Sequence, residues 1–203
     1  MKTKTEVIQE IAGALYALQK TDKEIGDVWK MPSPRMSMLF AITELGEYVN
    51  AYINNANEGF ARNNDQKTEP EEEVKELTDV GMMLLKMLIG LIPTEITRLT
   101  AVDDAAEDFY SQGQRYTPLT WVGDNLDDYS TPEMITVQMA ELVFVSNLEQ
   151  NGAQNVETVV QIVYMLIGII NNPLYKETSF LDRIKKKLAK TIVKVNSGKM
   201  KIV

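Results

Sequence analysis

Two pairs of carboxylates are the groups in this sequence best placed to do chemistry. Glu44 and Glu47 form one pair, and Glu76 and Asp79 form the other. Residues three apart lie on the same face of an α-helix, so each pair would face one neighbour. Both pairs border apolar stretches, where converging like charges raise one another's pKa and oppose folding unless a cation neutralises them. Oxygen-only ligands select hard cations, and Mg²⁺, which is commonly shared with substrate phosphates, is favoured over Ca²⁺.

A simpler explanation is that these acids are the solvated edges of two amphipathic helices. Two neighbouring residues favour a site. Gly46 stands in a helix interior, where it costs ~1 kcal/mol relative to Ala, which predicts that another group approaches its backbone closely. Lys86 is the sole charge between Val80 and Ile92. One interpretation is that its ammonium snorkels to the edge of the helix. The other is that the ammonium lies one to two helical turns from the cation, where it would bind a phosphate of the substrate.

The composition excludes several other kinds of site. The 203 residues include no cysteine and no histidine, which excludes disulfides, Cys/His zinc sites, thiol nucleophiles, Ser-His-Asp triads and histidine-bearing iron centres. The net charge of −8 disfavours nucleic-acid binding. Glu6 and Glu10 interrupt what would be the apolar core of a secretory signal, and no apolar run reaches the ~20 residues a bilayer needs. We expect a cytoplasmic protein without a membrane segment.

Apolar periodicity predicts an all-α chain. Helix starts are indicated where a hydroxyl side chain precedes a proline, at Ser33-Pro34, Thr68 to Pro70 and Ser130 to Pro132. The predicted helices cover approximately residues 5–20, 34–53, 70–91, 94–112, 131–148, 156–170 and 179–195, with a polar loop at 54–67 and a turn-rich linker around Trp121.

The chain also contains a weak internal similarity. Met87–Ile92 and Met165–Ile170 both begin Met-Leu-Ile-Gly, which indicates a tandem repeat of residues 1–112 and 131–203 joined by a linker at 113–130. The alternative to a repeat is that two unrelated core helices use the same few apolar residue types. Alignment of the halves leaves only two of the four carboxylates in the second. We therefore expect the second half to be catalytically empty, and its apolar helices to pack on the first.

The acid pairs also carry a family resemblance. The segment from Pro34-Arg35 through Glu44 and Glu47, followed by Glu76 to Val80, resembles the signature of the all-α nucleoside triphosphate pyrophosphohydrolases. This superfamily includes MazG-like proteins, dimeric dUTPases and dCTP pyrophosphatases, and its pattern is ExxE, a spacer and ExxD. The resemblance covers about residues 29–92 and implies a MazG-like helical bundle, here as a pseudo-dimeric tandem with a degenerate second half.

The resemblance implies an activity as well as a fold. Hydrolysis would fall between the α- and β-phosphates of a (deoxy)nucleoside triphosphate and release a monophosphate and pyrophosphate. Mg²⁺, with Mn²⁺ as a possible substitute, would be held by the catalytic residues Glu44, Glu47, Glu76 and Asp79, with Glu47 or Glu44 as general base. Implied substrate contacts are Trp29, Arg35, Lys86 and Lys194. Members of the superfamily normally dimerise, so a homodimer is possible.

The closing segment departs from the family pattern, since Thr191 and Val195 stand where Asn and Tyr are common. The run from Lys185 to Lys187 is most simply a solvated helix end that complements the dipole, with phosphate capture as the alternative. A further acidic cluster between Asp103 and Asp108 reads as a solvated face. The alternative to an enzyme is a non-catalytic helical bundle that binds a nucleotide or a partner and keeps the acids as a metal clasp.

Overall fold

The chain is all-helical wherever the structure describes it, as the sequence predicts. The computed structural model describes residues 3–25, 32–56, 70–91, 132–145, 152–171 and 179–198, and these residues contain six α-helices and no strand. The helices are α1 (Lys4–Ile25), α2 (Pro34–Ala56), α3 (Pro70–Leu91), α4 (Pro132–Val145), α5 (Gly152–Ile170) and α6 (Phe180–Asn196). The predicted helix 94–112, the linker with Trp121, the acids from Asp103 to Asp108 and Trp29 lie outside the described residues.

Side-chain caps fix several helix starts. The Met36 amide donates to the Ser33 hydroxyl at 3.3 Å, which confirms the predicted start of α2. At α6 the Asp182 amide donates to the Ser179 hydroxyl at 3.1 Å. α1 begins earlier than its apolar spacing predicts, because Thr3 and Glu6 form a capping box in which the Thr3 amide donates to the Glu6 carboxylate at 2.6 Å.

α2 and α3 form an antiparallel pair. The Asn55 side chain near the end of α2 donates to Glu73 near the start of α3 at 3.0 Å. At the opposite end, a Cβ at Gly90 would lie 2.7 Å from Cγ of Pro34, so only glycine lets the two backbones come this close. This pairing sets the acids of α2 beside those of α3.

α3 is the central helix of the described structure. It packs against α2 and α5 most extensively and also contacts α1 and α6, while α1 packs against α6 and α4 against α5. One apolar core contains residues of all six helices. The helices of the second predicted half therefore bury their apolar faces against those of the first. Whether the two halves are a true repeat stays a prediction.

No described helix combines the length and the apolar character that a membrane span needs.

Candidate metal centre and adjoining cleft

The four predicted acids lie on α2 and α3, which pack against each other. Glu76 and Asp79 are buried, with 7% and 6% of their surfaces exposed, because α3 is covered on several sides. Glu44 is half-buried and Glu47 is exposed. Buried carboxylates require a compensating charge or hydrogen bonds. Glu76 has such a partner in Lys75, whose ammonium donates to the Glu76 carboxylate at 2.8 Å.

Three of these acids converge. One carboxylate oxygen from each of Glu44, Glu47 and Glu76 lies within 4.8 Å of the other two. Two oxygens bound to one Mg²⁺ are at most about 4.2 Å apart, and two bound to one Ca²⁺ at most about 5 Å. Small side-chain rotations would therefore bring this trio around a single hard cation.

Burial and neighbouring charges both act on Glu44 of this trio. Burial, and secondarily the neighbouring Glu47 and Glu76 carboxylates, raise the pKa of Glu44, against the opposing effect of the lysines Lys187 and Lys75. A bound cation would offset the repulsion among the three carboxylates.

Asp79 has a different partner. Its carboxylate forms an ion pair with Lys187 of α6. Burial lowers the pKa of Lys187, while electrostatic attraction between its ammonium and the carboxylates of Glu44 and Glu76 opposes that shift. The Lys187 ammonium therefore lies near those two carboxylates as well as that of Asp79. The sequence interpretation treated Lys187 as part of a solvated helix end. A usable signal was present, because Lys187 directly precedes the core residue Leu188 and so flanks the buried face of α6.

Lys86 is enclosed rather than extended to the helix edge. Only 4% of its surface is exposed. Burial lowers the pKa of Lys86 to about 8, while Asp22 of α1 and Glu44 of α2 oppose that shift. The pKa of Asp22 is raised by its burial, and the positive charge of Lys86 opposes that rise. The sequence did not predict a role for Asp22, because no local pattern around this residue indicates that it lies near a lysine of α3.

The prediction about Gly46 is wrong for the described part of the chain. Gly46 is exposed, and a Cβ added there would meet no atom within 4 Å. No described segment therefore requires a glycine at this position.

A cleft of about 450 Å³ opens beside Asp79, between the first half of α3 and the length of α6. Cations outnumber acids along its walls. The residues that line it are Glu71, Glu72, Lys75, Thr78, Asp79, Arg183, Lys186, Lys187, Lys190, Thr191 and Lys194. An anion entering this cleft would meet lysines within reach of the acid trio.

The other predicted substrate contacts are distributed unevenly. Lys194 lines the cleft. Arg35 is exposed in the first turn of α2, next to the end of α3, and does not line the cleft. That end of α3 lies about 16 Å along the helix axis from Asp79. The structure therefore brings Lys194, but not Arg35, to the acid-bearing half of α3.

Comparisons of the chain with protein-family models, curated proteins and solved structures find no match. The family resemblance thus rests on the ExxE and ExxD motifs and their surroundings alone.

Proposed function

We propose that this protein is a Mg²⁺-dependent nucleoside triphosphate pyrophosphohydrolase that cleaves (deoxy)nucleoside triphosphates between the α- and β-phosphates. The observation that carries the proposal is the convergence of Glu44, Glu47 and Glu76 from two helices within 4.8 Å, beside a cationic cleft. The three acids come from two packed helices and range from exposed Glu47 to buried Glu76, so they meet at the edge of the α2–α3 interface. The chain lacks the histidines and cysteines that would support other metal chemistry.

The roles follow from position. Glu44, Glu47 and Glu76 would hold the cation, and Asp79 would join them when it exchanges Lys187 for the ion. The cation, Mg²⁺ or in its place Mn²⁺, would supply charge stabilisation for the phosphates and for the leaving pyrophosphate. The half-buried Glu44 or the exposed Glu47 would accept a proton from the attacking water. Lys187, once released, would remain in the cleft and face the phosphates.

The test is release of pyrophosphate from a panel of dNTPs with Mg²⁺, with Mn²⁺ and with EDTA. We expect cation-dependent release, and a loss of at least a hundredfold in kcat/KM in Glu47→Gln and Glu76→Gln, since each removes a ligand. Glu133→Gln, which changes an exposed acid at the start of α4, is the matched control and should retain wild-type turnover. Full activity in Glu47→Gln would refute the site.

Metal binding has a readout that does not require turnover. At a Mg²⁺ concentration 100 times its Kd, binding stabilises the native chain by about 2.7 kcal/mol. For a chain of this size that corresponds to roughly 5 to 11 °C in Tm. Glu76→Gln should lose most of this shift and Glu133→Gln none of it. An unchanged wild-type Tm at millimolar Mg²⁺ would count against the cation.

A second function is favoured by one specific observation. Lys187 pairs with Asp79, and Lys75 pairs with Glu76 at 2.8 Å, so the chain has its own counter-ions for two of the four acids. This would suit a non-catalytic bundle that binds a nucleotide or a partner. Saturable nucleotide binding with no pyrophosphate release from any dNTP, in either metal, would favour this function over the enzyme.

A further inference from the structure

The cationic residues of α6 concentrate on the cleft. The helix carries Arg183, Lys185, Lys186, Lys187, Lys190 and Lys194, in a chain whose net charge is −8. All of these except Lys185 line the cleft. A helix made basic only for solubility or for its dipole would distribute these side chains around its exposed surface. The concentration of these cations on the side of α6 that lines the cleft therefore points to a role in the cleft itself.

The cations form two rows on α6. Arg183 and Lys187, four residues apart, form the inner row next to the core. The Arg183 guanidinium donates two hydrogen bonds to Glu71, at 2.6 and 3.3 Å, and Lys187 pairs with Asp79. The acids of α3 therefore compensate the inner row.

The outer row consists of Lys186, Lys190 and Lys194. Among the residues that the structure describes, no carboxylate forms an ion pair with any of the three. The acids of α3 that line the cleft are already engaged, Glu71 by Arg183 and Glu72 by Lys75. The outer row thus faces the cleft with positive charge that no acid in the described part of the chain pairs with.

The spacing indicates what would neutralise the outer row. Residues four apart on a helix lie on one face and rise about 6 Å per step, so the backbone positions of the three lysines span about 12 Å along α6. A chain of linked phosphates carries several charges in a line, whereas orthophosphate or a carboxylate would neutralise only one position. A volume of about 450 Å³ suits a small molecule. Polynucleotides are disfavoured by the negative field of the whole chain.

We propose that Lys186, Lys190 and Lys194 form, with the α3–α6 cleft, a binding site for condensed phosphate that works without a divalent cation. The ligand is pyrophosphate or tripolyphosphate, either free or as the phosphate chain of a nucleotide. This site goes beyond the proposed function, because it needs neither metal nor hydrolysis. It would hold the phosphate chain by charge before, or apart from, any engagement of the acid trio.

The test is calorimetric titration of the full chain in EDTA with tripolyphosphate, pyrophosphate and orthophosphate. We expect one saturable site whose affinity falls in that order. The double variant Lys190→Gln/Lys194→Gln should bind tripolyphosphate at least tenfold more weakly. Lys185→Gln is the matched control, since it removes one positive charge from the same helix outside the cleft, and should bind as the wild type does.

Several results would overturn the proposal. These are the absence of saturable binding, equal weakening in Lys185→Gln, and tighter binding of a single-stranded oligonucleotide than of tripolyphosphate. Charge-conserving Lys190→Arg/Lys194→Arg should retain binding, and its failure to bind while circular dichroism shows a native fold would also count against the site.

A further titration distinguishes the sources of the phosphate. Equal affinity for tripolyphosphate and a dNTP in EDTA supports recognition of the phosphate chain itself, and binding of the dNTP alone would refute it. Because these titrations contain no metal, their failure is independent of any failure to release pyrophosphate in Mg²⁺.

Discussion

At the scale of single residues, the candidate centre is a balance between acids and three lysines. Lys187 pairs with Asp79, and Lys75 pairs with Glu76. Both ion pairs compensate negative charge that would otherwise oppose burial of α3. Lys86 lies within the core, where burial disfavours its own charge. A divalent cation would compete with this internal compensation, so the lysines should set how tightly the cation binds.

Removing Lys187 should therefore separate stability from metal affinity. Lys187→Gln leaves the buried Asp79 carboxylate without its ion pair and should destabilise the metal-free chain by about 1 to 3 kcal/mol. It should also strengthen Mg²⁺ binding, since the cation no longer competes with an ammonium. Urea unfolding in EDTA and calorimetric Mg²⁺ titration measure the two effects.

Lys185→Gln is the control for this experiment and should change the free energy of unfolding by less than about 0.5 kcal/mol. Weaker Mg²⁺ binding in Lys187→Gln would show that Lys187 does not compete with the cation.

Lys86 should give the fold a distinctive alkaline pH dependence. Its pKa is about 8 in the folded chain and near 10.5 in the unfolded chain. Between these values the unfolded chain binds the additional proton, so the contribution of Lys86 to the free energy of unfolding rises with pH from about 8 to about 10.5. The rise is at most about 3 kcal/mol.

Lys86→Met is the comparison variant, because Met is unbranched, only one heavy atom shorter than Lys, and cannot titrate. Stability should be measured by urea unfolding from pH 7 to 10.5 in both proteins. Other groups titrate in both, so the difference between the curves reports Lys86. Parallel curves would show that the pKa of Lys86 is not lowered.

At the scale of elements, α3 owes its central place to one small residue. A Cβ at Gly81 would lie 2.7 and 2.9 Å from two ring carbons of Phe180 and 3.0 Å from Cδ1 of Leu166. Phe180 and Leu166 are fully buried, so neither side chain has free space to move into. Gly81 therefore lets α5 and α6 approach α3, and this approach brings Lys187 to Asp79.

Gly81→Ala and Gly46→Ala should have opposite effects on stability. Gly81→Ala should destabilise the chain by about 1 to 3 kcal/mol through overpacking. Gly46→Ala, at an exposed helix position with open space around it, should stabilise it by up to about 1 kcal/mol. Thermal unfolding of both variants measures the difference.

The activity of Gly46→Ala carries further information. Reduced turnover in this stabilised variant would show that a bound ligand approaches the α2 backbone. A stabilising effect of Gly81→Ala would contradict the packing of α3 against α6.

At the scale of the whole molecule, the second predicted half completes the core of the first. α3 packs against α5, α1 packs against α6, and the Leu181 amide at the start of α6 donates to Glu10 of α1 at 3.0 Å. The cleft itself lies between α3 and α6. Neither the core nor the cleft is formed by residues 1–112 alone.

Truncation after Gln112 should therefore remove both the complete core and the cleft. The fragment would expose the apolar faces of α1 and α3, and we expect it to aggregate or to form an obligate dimer. Light scattering coupled to size exclusion measures the outcome. A soluble, monomeric fragment 1–112 with full activity would overturn this architecture.

The sequence by itself determined the helices and the acid pairs. Apolar periodicity and hydroxyl caps act within a few residues, so the helix at Pro34–Ala56 and its start at Ser33 follow from local pattern. Three-residue spacing likewise puts Glu44 with Glu47, and Glu76 with Asp79, on one face of each helix. These features need no knowledge of how the helices pack.

Only the tertiary structure decided which charges meet. Lys187 reaches Asp79, and Lys86 lies near Asp22, through the packing of helices that are remote in sequence. The sequence shows that α6 is basic, but the direction in which its lysines point depends on which face of α6 packs against α1 and α3. The open space at Gly46 and the crowding at Gly81 are decided in the same way, because a glycine's surroundings are set by packing and leave no local signal.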